Sequence, residues 1–318
     1  LFASVEGIAL LDLHRLRLLR ELSLRGTVGA VAAALNYAPS TISAQLSRLE
    51  AEAGVELLRA TGRRVRLTPA AQLLVEHAES LLNQMERAEA ALAASQSEVS
   101  GTIRLSVFQT AALALLPGAL RRLRDEHPLL RVEVTQREPE TALRETWGRD
   151  FDVVVAEQYP GHAAEHFAGL SHVTLALDPL RLAVPPDAHG EFAAIDSLAA
   201  AAEVPWVGEP APAASRHWAL QRCRLAGFEP DVRYESADLQ VHLQLVEAGL
   251  AVSLLPGILG GYRTPRVRWV ELEGRPEREV FVASRDATNA HPAALAVREA
   301  LEAEAAGFGR PRPKLGES

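Results

Sequence analysis

Residues 27–50 read TVGAVAAALNYAPSTISAQLSRLE, and the rest of the chain is arranged around them. Thr27 suits a helix N-cap, where a hydroxyl accepts from an unpaired N–H of the first turn. Val28, Val31, Ala32 and Leu35 follow at helical spacing. Asn36-Tyr37-Ala38 breaks the pattern. Pro39 restarts it, since a missing N–H costs nothing in a first turn. In the second helix Ile42, Leu46 and Leu49 form a stripe for burial. Ser40, Thr41, Ser43, Ala44, Gln45, Ser47 and Arg48 are left facing outward. Two short helices joined by about three or four residues make a helix-turn-helix. A small, polar outward face allows close approach to base edges. An ordinary αα-hairpin with a solvated face has the same periodicity, so the following segment must separate the two.

Leu57-Leu58-Arg59 leads into Thr61-Gly62-Arg63-Arg64-Val65-Arg66-Leu67-Thr68. Gly62 suits a tight turn, and Val65 and Leu67 alternate with Arg64 and Arg66 as in a two-stranded ribbon. Three arginines at such a tip are explained most economically by phosphate contacts.

These residues together resemble the LysR-type transcriptional regulators. The likeness starts at Leu11-Asp12-Leu13 and runs through Ala30-Val31-Ala32-Ala33-Ala34-Leu35, Ser43-Ala44-Gln45-Leu46 and Leu49-Glu50. It continues through Gly54-Val55-Glu56-Leu57-Leu58 to Val65-Arg66-Leu67-Thr68-Pro69-Ala70. There are departures. Ala38 stands where the family usually has a Ser cap, and Pro39 falls one place early. Ala44 replaces the Arg that often precedes the family's Gln, and the wing Arg is displaced onto Arg59, leaving Ala60. The resemblance implies a winged helix-turn-helix and an effector domain built like a periplasmic binding protein. It also implies dimers, commonly paired into tetramers.

A chain of 318 residues, 48% hydrophobic and 23% charged, has ample material for two or three domains. No apolar run reaches the length of a membrane span. The first ten residues, LFASVEGIAL, lack a basic n-region and a cleavage motif, which predicts no signal peptide and a cytoplasmic protein. They also lack an initiator Met. The lone Cys223 excludes an internal disulfide and is read as a packing residue. The ten histidines show no metal-ligand spacing, so neither metal nor cofactor is expected. A net charge of −8 looks wrong for a DNA-binding protein until it is divided. Residues 1–67 hold nine Arg against six acids, and the remainder is net −11. A basic head on an acidic body concentrates attraction for nucleic acid at one end.

Residues 12–24 place Leu13, Leu16, Leu19 and Leu22 on one face, the first helix of the head. Thr68-Pro69 opens a long helix in which Ala70, Leu74, His77, Leu81, Met85, Ala88 and Leu92 recur about every 3.5 residues. That spacing predicts a dimer seam, with Leu74, His77, Leu81, Met85 and Leu92 as its members. Ser97 to Gly101 is a hinge, after which strands alternate with helices and predict a largely parallel sheet. A second unit starts near Leu180, and strands at 267–272 and 278–284 with a helix from about 291 to 304 return to the first. The expected fold is α/β with an all-α winged helix-turn-helix head, a long linker helix and a two-lobed effector domain. Its boundaries are 11–67 for the head and 68–99 for the linker. The effector domain is 100–304, with lobe I at about 100–176 and 267–304 and lobe II at about 177–266. Residues 305–318, rich in Gly, Pro and Arg, read as a disordered tail.

The expected function is sequence-specific transcriptional regulation switched by a small molecule bound between the lobes. The partners are double-stranded DNA, an effector and a second copy of the chain. Phosphate contacts fall to Thr27, Arg59, Arg63, Arg64 and Arg66, and base readout to Ser40, Thr41, Ser43, Gln45 and Arg48. Ligands of open α/β sheets sit beyond the carboxyl ends of strands, which selects Gln109, Thr110, Glu157, Gln158, Gly208 and Ser236. Glu157 would repel a carboxylate, favouring a neutral polar or cationic effector. The alternative is a solute-binding receptor with no DNA role, against which the basic head argues. An enzyme is not expected: there is no GxSxG, no Walker loop and no GxGxxG after a strand.

If Arg63, Arg64 and Arg66 contact phosphates, replacing one with Ala weakens binding to all duplexes about equally. The slope of log affinity against log salt then falls by roughly 0.9 for each phosphate that is no longer neutralised. An unchanged slope for all three would make the turn a solvated one.

Overall fold

The computed structural model describes residues 10–61, 64–186, 190–261 and 264–308. They form two compact units, Leu1–Leu92 and Ala93–Ser318.

The first unit contains α1 (Leu13–Arg25), α2 (Val28–Leu35), α3 (Pro39–Ala53), the ribbon β1 (Leu58–Thr61) and β2 (Arg64–Leu67), and most of α4 (Pro69–Ala94). Each start has a local cause. Asp12 Oδ1 accepts from the Arg15 N–H at 3.0 Å, and Thr27 Oγ1 from the Ala30 N–H at 3.1 Å. Asn36 closes α2 with φ 56°, a left-handed conformation that asparagine tolerates. Ala38 offers no side-chain cap, and Pro39 alone sets the first turn of α3. Ile42, Leu46 and Leu49 are buried against Leu16, Leu19 and Val31, as the sequence pattern requires. Glu50 Oε1 accepts from the N–H groups of Leu57 and Leu58 and so ties α3 to the ribbon. Arg20, 1% exposed, bonds Glu21 and reaches Glu79 of α4 at 2.8 Å. A buried charge of this kind is tolerated only when paired.

The second unit is a doubly lobed α/β domain. Its first lobe holds β3 (Gly101–Val107), α5 (Gln109–Ala114), α6 (Leu116–Glu126), β4 (Leu130–Gln136), α7 (Pro139–Trp147) and β5 (Val153–Gln158). Next comes β6 (Leu170–Val184), fifteen residues long. The second lobe adds β7 (Pro205–Gly208), α8 (Ala214–Leu225), β8 (Asp231–Glu235), α9 (Leu239–Glu247), β9 (Ser253–Pro256) and β10 (Arg268–Glu271). The chain returns through β11 (Glu277–Arg285) to α10 (Pro292–Ala305). β3 pairs in parallel with β4 and β5, but β11 is antiparallel to both β5 and β6. One lobe I core lies between the sheet and α5, α6 and α10; a smaller one lies under α7.

Three features differ from the sequence reading. The second unit, expected to start near Leu180, has no break there: β6 begins at Leu170 and serves both lobes, its first part pairing with β11 and its last with β9 and β10. The division near residue 177 therefore falls inside one continuous strand. β10 pairs with Arg181–Val184, and Val270 and Leu272 enter the core of Trp206 and Trp218. It belongs to lobe II, so the return to lobe I starts at β11. Finally, α10 runs to Ala305 and Phe308 packs on the lobe I core, which removes 305–308 from the tail. Residues 309–318 lie outside the described ones.

Candidate functional site

The outward face of α3 is available as expected. Ser40, Thr41, Ser43 and Arg48 are exposed. Thr27 is exposed at the α2 cap. In the ribbon Arg59 lies directly across from Arg66, and both are exposed. Arg59 also holds a solvent-exposed ion pair with Glu56 at 2.8 Å, a kind of contact that is weak in water and that phosphate can displace. Arg64 is in β2, while Gly62 and Arg63 lie outside the described residues. Gln45 is half-buried rather than free, because its Oε1 accepts from Arg15 Nη1 at 3.0 Å.

On α4 the seam residues divide. Leu74 packs partly into the head core. His77, Leu81, Met85 and Leu92 are exposed, Leu81 at 48% and Met85 at 45%. Leu73, which the seam reading did not include, is 58% exposed.

Between the lobes lies a cavity of about 560 Å³. Glu138, Glu140 and Glu157 reach it from lobe I and Glu209 from lobe II; the rest is largely a Pro and Ala wall from 210 to 214. Among the described residues no Lys, Arg or His lines it. Of the six residues that the strand-end rule selects, only Glu157 lines this space. Thr110 is 2% exposed, and its hydroxyl accepts from Arg278 Nη2 at 2.9 Å. Gln158 donates to Glu279 at 2.6 Å on another face of the sheet. Ser236 Oγ accepts from the Asp238 N–H, a turn at the start of α9. Gly208 borders a smaller hollow, where a Cβ would meet Arg216. Gln109 joins the lobes: Nε2 donates to Asp238 Oδ1 at 2.6 Å and Oε1 accepts from the Leu239 N–H at 3.0 Å.

The residue that sequence reasoning missed is Arg278. It is 1% exposed, donates through Nε to Asp178 at 2.8 Å, and through Nη1 to Glu157. Its guanidinium also stands 5.4 Å from the Phe108 ring centroid. Alternation along β11 gave a signal, since Arg278 shares a face with Val280 and Val282. Burial opposes its charge, but Glu157 and Asp178 outweigh that and raise its pKa. Burial pushes Glu157 up to about 7 despite the pull of Arg278, with Glu209, Asp178 and Glu138 adding repulsion. Burial also raises Glu209, against the hydrogen bond from Ser215, and partial burial with Glu140 raises Glu138. Cys223 is in the lobe II core, its thiol pushed up to about 12 by burial, and is chemically inert there.

Residues 96–306 match the LysR substrate binding domain, and residues 13–72 match the bacterial regulatory helix-turn-helix protein, lysR family. The transcriptional dual regulator GltC of Bacillus subtilis (strain 168) is 26% identical over 259 residues, covering 80% of this chain and 84% of GltC. The HTH-type transcriptional regulator AlsR of the same organism is 27% identical over 232 residues, covering 72% and 74%. Among solved structures, a full-length OxyR variant from Pseudomonas aeruginosa superposes with a TM-score of 0.66 at 18% identity, covering 97% of this chain and 99% of its own. Full-length CbnR in complex with its target DNA gives 0.51 at 23% identity, covering 93% and 100%. At these identities the structures establish the shared fold.

The raised Glu157 fixes a pH dependence. Its ordinary value is 4.5, so between about 4.5 and about 7 the folded chain binds a proton that the unfolded chain releases. Stability from this group therefore falls as pH rises through that window. Glu157→Gln removes this slope, whatever the loss of its contact with Arg278 does to stability at any one pH. Denaturant midpoints from pH 4.5 to 8 measure it, and equal slopes in both proteins would contradict it.

Proposed function

The chain belongs to the LysR family of bacterial regulatory helix-turn-helix proteins, and from that premise we propose how its own residues divide the work. It is a DNA-binding transcriptional regulator with an effector-binding domain, not an enzyme. The helix-turn-helix match favours this over a solute receptor without a DNA role. Ser40, Thr41, Ser43, Gln45 and Arg48 read bases, and Thr27, Arg59, Arg63, Arg64 and Arg66 hold phosphates. Residues 11–67 act as the head, 68–99 as the linker and 100 to about 308 as the effector domain. The protein works in the cytoplasm, where bacterial DNA is; no helix among the described residues is long and apolar enough to cross a membrane.

The effector is an organic cation. The observation that carries this is the set of four carboxylates, drawn from both lobes, around a cavity lined by no basic side chain among the described residues. The starts of α7 and α8 also border it, and each helix N-terminus is equivalent to about half a positive charge. Burial favours the protonated forms of Glu138, Glu157 and Glu209, so a bound cation would stabilise these carboxyls in their charged forms. The Pro and Ala wall accepts a short hydrocarbon segment. The test is a thermal-shift titration of the full chain with 1,4-diaminobutane, 1,4-butanediol and succinate. The diamine raises the midpoint, because a ligand of the native state stabilises it. A rise with succinate and none with the diamine would reverse the assignment.

Assembly is through α4, where Leu73, Leu81 and Met85 expose apolar side chains on one long helix. Leu81→Asp would bury unpaired charge in a dimer. Sedimentation then gives monomers and DNA retention disappears. An intact dimer would move the interface elsewhere.

A further inference from the structure

We propose that Arg15 is a positioning residue for base readout, holding the side-chain amide of Gln45 so that its NH₂ group faces the DNA. The inference rests on the reading that Gln45 lies in the major groove. Arg15 is on α1 and Gln45 on α3. Arg15 Nε donates to Glu52 Oε2 at 3.1 Å, and Nη2 donates to Glu52 Oε1, a two-pronged clamp. The remaining prong, Nη1, donates to Gln45 Oε1 at 3.0 Å. Asp12, which caps α1, adds a carboxylate oxygen 3.9 Å from Nη2. Side-chain exposure is 20% for Arg15 and 22% for Glu52, so the clamp lies against the head.

The chemistry of the pair fixes the orientation. A guanidinium has five N–H donors and no acceptor. Gln45 therefore turns its oxygen toward Arg15, which leaves its NH₂ group as the end not held by the guanidinium. Nε2 has no partner among the described residues. A free glutamine on a helix surface samples both amide orientations and gives up that freedom on binding. Here the freedom is removed beforehand, which sharpens discrimination between bases. One lone pair of Oε1 is already used, so the group that Gln45 offers is chiefly a donor. It favours a base edge rich in acceptors, such as N7 and O6 of guanine, and disfavours the N4 donor of cytosine.

Two other roles for Arg15 predict different results. If it were a phosphate ligand, removing it would lower the salt slope by roughly 0.9. If it were only a brace between α1 and α3, removing it would lower stability and leave base preference intact.

The experiment uses the full chain and a duplex enriched by it from a library with a randomised core. Affinities are measured for every single-base-pair change in that duplex. Gln45→Ala flattens the preference at one base pair. Arg15→Ala flattens it at the same base pair, by roughly tenfold, with an unchanged salt slope. The double variant is no worse there than Gln45→Ala alone, since both remove one unit. Arg15→Lys behaves like Arg15→Ala, because one ammonium cannot reproduce the three-pronged geometry. Glu52→Gln keeps the charge of Arg15 but loosens the clamp. It shifts the same base pair, and it serves as the readout if Arg15→Ala folds poorly. A preference that survives both Arg15→Ala and Glu52→Gln while Gln45→Ala abolishes it would overturn this inference alone. A Gln45→Ala protein with unchanged preference everywhere would overturn both it and the reading beneath it.

Discussion

A guanidinium that is 1% exposed has to be matched where it stands, and Arg278 dictates what surrounds it. Asp178 comes from the crossing strand β6, Glu157 from the end of β5, and Thr110 from the start of α5. Asp178 also accepts from the Ile258 N–H at 2.9 Å, which fixes the turn after β9. One cation thus gathers four segments at the floor of the cleft. Removing one partner of such a set leaves a buried charge uncompensated, at a cost of about 3–5 kcal/mol. Glu157 is the exception that matters, because it serves both Arg278 and the cavity. Two carboxylates compete for one guanidinium, and the one beside the cavity is the one whose proton is held near neutral pH.

The head repeats the device on a smaller scale. Arg15 is clamped by Glu52 and gives a further donor to a neutral amide, as Arg278 is paired with carboxylates and gives a donor to a hydroxyl. In each case a charge pair anchors the arginine, and the arginine then sets the direction of an uncharged group. The difference is exposure. Thr110 is 2% exposed, whereas Gln45 is half-buried.

The head is legible in the sequence because its signals are local. The stripe Ile42, Leu46 and Leu49, the Thr27 cap and the Pro39 restart each involve residues within a few positions of one another. The effector domain is legible in class and order, but less so in pairing. β6 is longer than its sequence suggests, since His172, Asp178 and Pro179 interrupt its apolar run, yet its ladder with β11 supplies what they lack. Of the side chains that the strand-end rule selects, only Glu157 lines the cavity between the lobes. Thr110, Gln158 and Ser236 are short or neutral groups that any nearby donor or acceptor can claim. Thr110 and Gln158 are claimed by Arg278 and Glu279, more than a hundred residues away. Such partners leave no local trace, whereas Glu157 keeps its place because burial and charge repel most alternatives.

A head that reads sequence and a body that takes a small molecule are carried on one chain. Base readout by α3 is the claim on which both the regulator assignment and the role of Arg15 depend. The most direct measurement is the affinity of the full chain for its enriched duplex, relative to a scrambled duplex of equal length, at physiological salt. A specific reader prefers the enriched duplex by roughly 10³-fold or more. A ratio near one, with both affinities falling together as salt rises, would mean that the head binds phosphate alone.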